Sequence, residues 1–93
     1  MPMSFPPHPG PVLKVILDNV PIQTIEAARR LRYCPRHLDE VLSCNQPIQA
    51  DLAVRLERAG VSTARCWLMM QAAYDQFQAE RSNQPDIELI TPT

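Results

Sequence analysis

Apolar residues recur along the chain at the three- and four-residue spacing of helices, and prolines mark where most runs stop. Val12, Leu13, Ile16, Leu17 and Val20 trace the first face, opened by Gly10-Pro11 with a proline at its first position and closed by Pro21. A second short helix is expected from about Gln23 to Leu31, with Thr24 as N-cap and Ile25, Ala28 and Leu31 as its buried stripe. Pro35 opens a third, running to Ser43 or Cys44 and burying Leu38, Val41 and Leu42 before Asn45-Gln46-Pro47 breaks it. A fourth, about Gln49 to Ala59, carries Leu52, Ala53, Leu56 and Ala59, and Gly60 closes it. Ser62 caps the fifth and longest, which runs to about Ser82 with Trp67, Met70, Tyr74 and Phe77 along one side. Only Ile87-Glu88-Leu89 alternates with the period of a strand, as one short strand or plain tail.

Five helices joined by short connections describe an all-α domain. The expected organisation is an extended arm rich in proline over residues 1–9, a helical domain over 10–82 and a tail over 83–93. The second and third helices are short, adjacent and joined by a tight turn, the geometry of a helix-turn-helix.

Composition narrows the chemistry. The chain has 93 residues with 9 basic against 10 acidic side chains, a net charge of −1, so it is not basic all over, although a local basic patch remains open. Two glycines leave no room for a Gly-rich phosphate cradle, and no cofactor is expected. Three cysteines, Cys34, Cys44 and Cys66, form no C-x-x-C pair and read as reduced thiols of a cytoplasmic protein; no zinc site is expected. No apolar run has the length of a membrane span, and the first residues lack the pattern of a signal peptide. Asp18, Asp51 and Asp75 sit on different helices, the serines have no His/Asp arrangement around them, and no enzyme is expected. His8 stands alone and is better explained by a structural hydrogen bond than by a metal.

Three segments in order carry a family resemblance: His8-Pro9-Gly10 before the first helix, Ala27-Ala28-Arg29-Arg30-Leu31 followed after a turn by Leu38, and Trp67-Leu68-Met69-Met70-Gln71-Ala72-Ala73-Tyr74-Asp75. Together, over about residues 8–80, they resemble the HigA-type antitoxins, a branch of the λ-repressor-like helix-turn-helix proteins. The resemblance implies a five-helix fold of that class. It also implies a cytoplasmic, dimeric antitoxin that silences a HigB-like toxin, a small ribonuclease that cuts mRNA, and represses its own operon by setting the third helix in the major groove of operator DNA. The chain departs from the family pattern where DNA is read. Arg32 replaces the usual turn glycine, Cys34-Pro35 replaces the Ser-Arg or Ser-Pro start, Asp39-Glu40 stand mid-helix, and Cys44-Asn45-Gln46 replaces a Gly-Lys loop. If the turn still needs a left-handed residue, Arg is about 1–2 kcal/mol worse there than Gly.

Candidate DNA-binding residues are Gln23, Thr24, Arg32, Arg36, His37, Glu40 and Asn45. Arg36 and His37 stand where base edges come within reach, Gln23 and Thr24 where helix N–H groups hold a phosphate, and Glu40 could accept from cytosine. The opposing expectation is a solvated face in which the arginines pair with Glu26, Asp39 and Glu40, Arg36 with Glu40 in particular. Met69 and Phe77 are the candidate dimer face on the flank of the last helix. Two other readings stay open: a toxin-binding or dimeric interaction module of the same fold with weakened DNA recognition, and a transcription regulator that acts without a toxin.

Overall fold

Helix α1 (Pro9–Asn19) starts at His8, whose backbone is extended and whose Nδ1 accepts from the Gly10 N–H at 2.9 Å. The helix thus begins ahead of the expected Gly10-Pro11 opening. Both Pro9 and Pro11 fall in its first turn, where the N–H each lacks would have had no intrahelical partner. The computed structural model describes residues 5–91. Among them α1 is followed by α2 (Thr24–Leu31), α3 (Pro35–Leu42), α4 (Ala50–Arg58) and α5 (Ala64–Arg81), with no strand. Of the expected arm, Met1 to Ser4 lie outside the described residues. Ile87-Glu88-Leu89 carries no regular secondary structure and belongs to the tail.

Three helix ends share one device. After α2, the Tyr33 N–H donates to the Ala28 carbonyl and the Arg32 N–H to that of Arg29. After α3, Asn45 donates to Glu40 and Cys44 to Val41; after α4, Val61 donates to Leu56 and Gly60 to Glu57. Each is a Schellman closure, which needs a left-handed residue at its corner. Gly60 supplies one at φ 85° without penalty, whereas Arg32 (φ 55°) and Cys44 (φ 67°) adopt the same conformation with a side chain attached. The turn between α2 and α3 therefore keeps the glycine geometry although the glycine is gone.

Several expected details shift by a residue. Thr24 is the first helical residue of α2 and Gln23 its N-cap; Thr63, not Ser62, caps α5, its Oγ1 accepting from the Cys66 N–H at 3.1 Å. Ser62 sits instead at φ 60°, in the turn before the cap. Ile25 is exposed and Ala27 takes its place beside Ala28 and Leu31, because the side of α2 against the body runs through positions 24, 27, 28 and 31.

The core gathers Leu13, Leu17, Ala28, Leu31, Leu38, Val41, Ile48, Leu52, Leu56 and Trp67. Each fully buried Leu or Ile contributes roughly 1.5–3 kcal/mol by leaving water. Trp67 has no exposed surface, and its indole N–H donates to the Val61 carbonyl at 2.8 Å, so burial leaves its polar atom satisfied. Helix α5 packs on α4 and α1, α1 crosses α3, and α2 lies on α3 and α4. This leaves the α2–α3 pair at one edge of the bundle.

Candidate nucleic-acid interface

The candidate interface is built on α3. Leu38 and Val41 anchor one side of it in the core, which turns Arg36, Glu40 and Ser43 outward with His37 and Asp39 at their flanks. Pro35 occupies the first helical position after an extended Cys34, so the helix starts sharply and projects Arg36 and His37 from its first turn. Both are exposed.

Ion pairing sorts the arginine run in two. Glu26 takes Arg29 in a two-pronged grip (2.9 and 2.6 Å) and Arg30 through Nε at 2.9 Å. Those donors hold the Glu26 carboxyl down at about 2, well below its ordinary value, although the group lies at the surface. Arg32 and Arg36 have no carboxylate within salt-bridge distance among the described residues. The expected Arg36–Glu40 pair is not formed, and neither Asp39 nor Glu40 neutralises an arginine. The expected pairing with carboxylates is thus seen at Arg29 and Arg30 and is absent at the two arginines nearest α3.

Helix α4 braces the turn. Arg55 Nη1 donates to the Arg32 carbonyl at 2.6 Å, and its guanidinium lies 5.9 Å from the centre of the Tyr33 ring. Tyr33 in turn meets His37 edge-on at 6.3 Å. Burial, with Asp51 nearby, pushes the Tyr33 hydroxyl above its ordinary pKa. Tyr33, His37 and Glu40 line a polar cleft with Gln46, Pro47 and Gln49, directly beside the outer face of α3. Gln23 and Thr24 stand at the start of α2; Gln23 makes no side-chain cap bond, and the first backbone bond of the helix is from Ala27 to the Gln23 carbonyl. The Thr24, Ile25 and Glu26 N–H groups are therefore free of helix partners.

Asn45 is exposed in the loop after α3, and that loop is clamped from behind. Gln71 of α5 is buried; its Oε1 accepts from the Ile48 N–H at 2.8 Å while its Nε2 donates to Asp75 Oδ1 at 2.9 Å. His8, 6% exposed, meets the Gln46 backbone and packs edge-on against Tyr74 at 4.9 Å. Burial lowers the His8 pKa from its ordinary 6.5, with Gln46 and Asp75 partly opposing. Gly10 completes the clamp: a Cβ there would stand 2.0 Å from the Val41 carbonyl oxygen, so only glycine lets α1 cross α3 this closely. The two most recognisable sequence segments thus converge on the loop that follows α3.

Sequence reasoning missed Arg55 and Gln71. Nothing local marks Arg55, whose partners lie 23 and 24 residues earlier. Gln71 did carry a signal, because it follows Trp67 by four residues and so shares its buried side. Of the candidate dimer residues, Met69 is 60% exposed, whereas Phe77 is half-buried under Phe5 (5.0 Å) with Arg81 over its ring (5.4 Å). Among the described residues no three His, Cys, Asp or Glu side chains could hold a metal, and no helix is long and apolar enough to cross a membrane.

No family model matches the chain. It is, however, 38% identical to virulence-associated protein A′ of Dichelobacter nodosus over 77 residues, 82% of this chain and 67% of the relative. Among solved structures, a proposed antidote protein of a plasmid maintenance system from Nostoc punctiforme superposes with a TM-score of 0.80 at 33% identity, covering 84% of this chain and 86% of that one. An addiction-module antidote protein of a HigA family from Coxiella burnetii gives 0.78 at 27%, over 89% and 100% of the two chains. PA4674 of Pseudomonas aeruginosa, solved in complex with its operator DNA, gives 0.75 at 29% over 80% and 82%. With its capped His-Pro-Gly start, its helix-turn-helix and the buried Trp-Gln-Tyr side of its last helix, the chain belongs to the HigA-type antitoxin family of λ-repressor-like helix-turn-helix proteins.

Proposed function

We propose that this chain is the antitoxin of a toxin–antitoxin pair, that it neutralises a HigB-like mRNA-cleaving toxin, and that it acts in the cytoplasm as a homodimer repressing its own operon. The observation that carries the DNA half is Arg36: it projects from the first turn of α3, exposed and without a carboxylate partner. A guanidinium so placed suits the O6 and N7 acceptors of guanine in the major groove. The free N–H groups at the start of α2 suit a phosphate, and Arg32, His37 and Asn45 surround the same face. That PA4674 has been solved with its operator supports the reading. No catalytic step is assigned to the chain, and no cofactor enters it.

A second reading rests on one observation. Asp39 and Glu40 share the outer side of α3 with Arg36 and are themselves unpaired, so they repel phosphate where the family carries neutral or basic residues. On that reading the fold keeps toxin binding and has weakened DNA recognition. Co-expression decides the antitoxin half: a small protein encoded beside this chain should arrest growth alone, be silenced by this chain and co-purify with it. A reporter driven by the upstream region should be repressed by the wild type and released by Arg36→Ala. Silencing without repression would favour the second reading, and repression without any toxin partner would make the chain a regulator that acts alone.

A further inference from the structure

Two features of the molecule face solvent with complementary chemistry. The first is a groove of about 300 Å³ between the end of α1, α2 and the end of α4, whose apolar walls include Ile16, Val20, Ile22, Leu56 and Val61. Arg30 stands on its rim, and a neighbouring hollow over Leu31 and Ala59 is flanked by Arg30, Arg55 and Arg58. Arg58 has no carboxylate partner among the described residues. The second is the tail, Asp86-Ile87-Glu88-Leu89-Ile90, which alternates acid and aliphatic side chains. Ile87, Leu89 and Ile90 are 77%, 81% and 99% exposed, more than any other large apolar side chain described.

Charge and apolarity match, and the remaining question is whose tail fits whose groove. The groove ends at Val61 and Ser62, directly before α5, and the tail leaves from Ser82, directly after it. The 18 residues of α5 separate these points by about 27 Å. Five residues from Ser82 to Ile87 span at most about 18 Å, short of the Val61–Ser62 end of the groove, so a chain does not seat its own Ile87 there. A radius of gyration of 16.1 Å, against about 12 Å for a compact chain of this length, marks an elongated molecule. A second copy has no such limit. Two α5 helices paired antiparallel about their midpoint, where Ala72 and Ala73 are exposed beside Leu68 and Met69, bring each Ser82 beside the other copy's Ser62.

We propose that the groove between α1, α2 and α4 receives the acidic-aliphatic tail, residues 86–90, of a second copy of this chain, each copy giving its tail and taking its partner's. Ile87 and Leu89 enter the groove, and Asp86 and Glu88 meet Arg58 and the outer guanidinium nitrogens of Arg30, whose Nε already holds Glu26. The exchange is two-fold symmetric and leaves the outer face of α3 uncovered. It rests on the homodimer of the preceding reading and not on DNA binding.

Sedimentation of the full chain over a range of concentrations tests it. Ile87→Asp with Leu89→Asp, and separately Val20→Asp, should each weaken self-association by about tenfold or more. Both variants should remain folded by circular dichroism, since all three side chains are largely exposed in the single copy. Mixing the tail variant with the groove variant should restore association partly, because one intact tail then meets one intact groove. Arg58→Glu should weaken association and Glu88→Arg added to it should recover it. A wild-type dimer indifferent to all of these overturns the exchange while leaving the dimer standing, and a wild type that stays monomeric to about 1 mM overturns both. Groove variants that dimerise normally but lose the toxin would give the groove to the toxin, and overturn the exchange.

Discussion

Replacing Gly10 by Ala adds one methyl group at the point where α1 crosses α3. The new carbon would stand 2.0 Å from the Val41 carbonyl oxygen, 3.1 Å from its carbon and 3.0 Å from His8 Nδ1. The nearest atom is backbone, so no side-chain rotation relieves the clash; the helices must separate by about an ångström or more. Overpacking of this kind costs about 1–3 kcal/mol. Losing the His8 cap, whose acceptor faces the same methyl, adds about 1 kcal/mol. Alanine's better helix propensity returns less than about 1 kcal/mol. The net expectation is a loss of about 1–4 kcal/mol from a total of roughly 5–14 for a chain of this length. Urea unfolding read from the emission of Trp67, which is fully buried, should show the midpoint falling by roughly 1–3 M at unchanged slope. Gly60→Ala is the matched control: nothing lies within 4 Å of its added methyl, and only its φ of 85° resists, for about 1–2 kcal/mol. A Gly10→Ala midpoint within error of the wild type would refute the close crossing as the reason glycine stands there.

The other expectations concern the turn, the loop clamp and pH. Arg32→Gly should stabilise the chain by about 1 kcal/mol in the same urea assay, since it removes a Cβ from a left-handed corner; destabilisation would show that the Arg32 side chain holds the turn. Gln71→Leu leaves the buried Ile48 N–H without an acceptor and should cost about 1–3 kcal/mol, whereas an equally stable variant would mean that the loop finds water instead. His8 has a folded pKa below its unfolded 6.5, so the unfolded chain binds the extra proton first. His8 therefore contributes a loss of stability as pH falls from 6.5 toward the lowered value, and none above 6.5. A His8→Asn variant should lack that part of the acid slope in melts between pH 7 and 5, and an unchanged slope would assign it elsewhere.

Much of the fold was legible because helix period and proline punctuation agreed over the first three helices, and the left-handed corner at Arg32 followed from the glycine that the resembling family carries in that turn. What escaped were matters of which neighbour meets which. Ile25 looked like core from its spacing to Ala28, but the body lies on the side of Ala27. Arg36 and Glu40 stand at ideal helical spacing for a pair, yet Arg36 is exposed while Glu40 sits half-buried in the cleft with Tyr33 and His37, and a surface pair would gain little against water. Gly10 was visible only as a residue that opens a helix, because nothing local reveals that α3 will pass against it. The His-Pro-Gly and Trp-Gln-Tyr segments were read as a signature; their shared task, gripping the loop after α3, needed the tertiary contact between His8, Gln71 and Tyr74 to be seen.

The central claim is that this helix-turn-helix reads an operator through Arg36, and fluorescence anisotropy on a duplex from the chain's own upstream region tests it most directly. Titrations at two salt concentrations, against a scrambled duplex and with Arg36→Ala alongside, give the specific ratio and the number of phosphates engaged. The account predicts clear preference for the upstream duplex, with Arg36→Ala losing about 1–3 kcal/mol of it and relaxing one base position. Weak binding to both duplexes that salt erases, unchanged by Arg36→Ala, would contradict it.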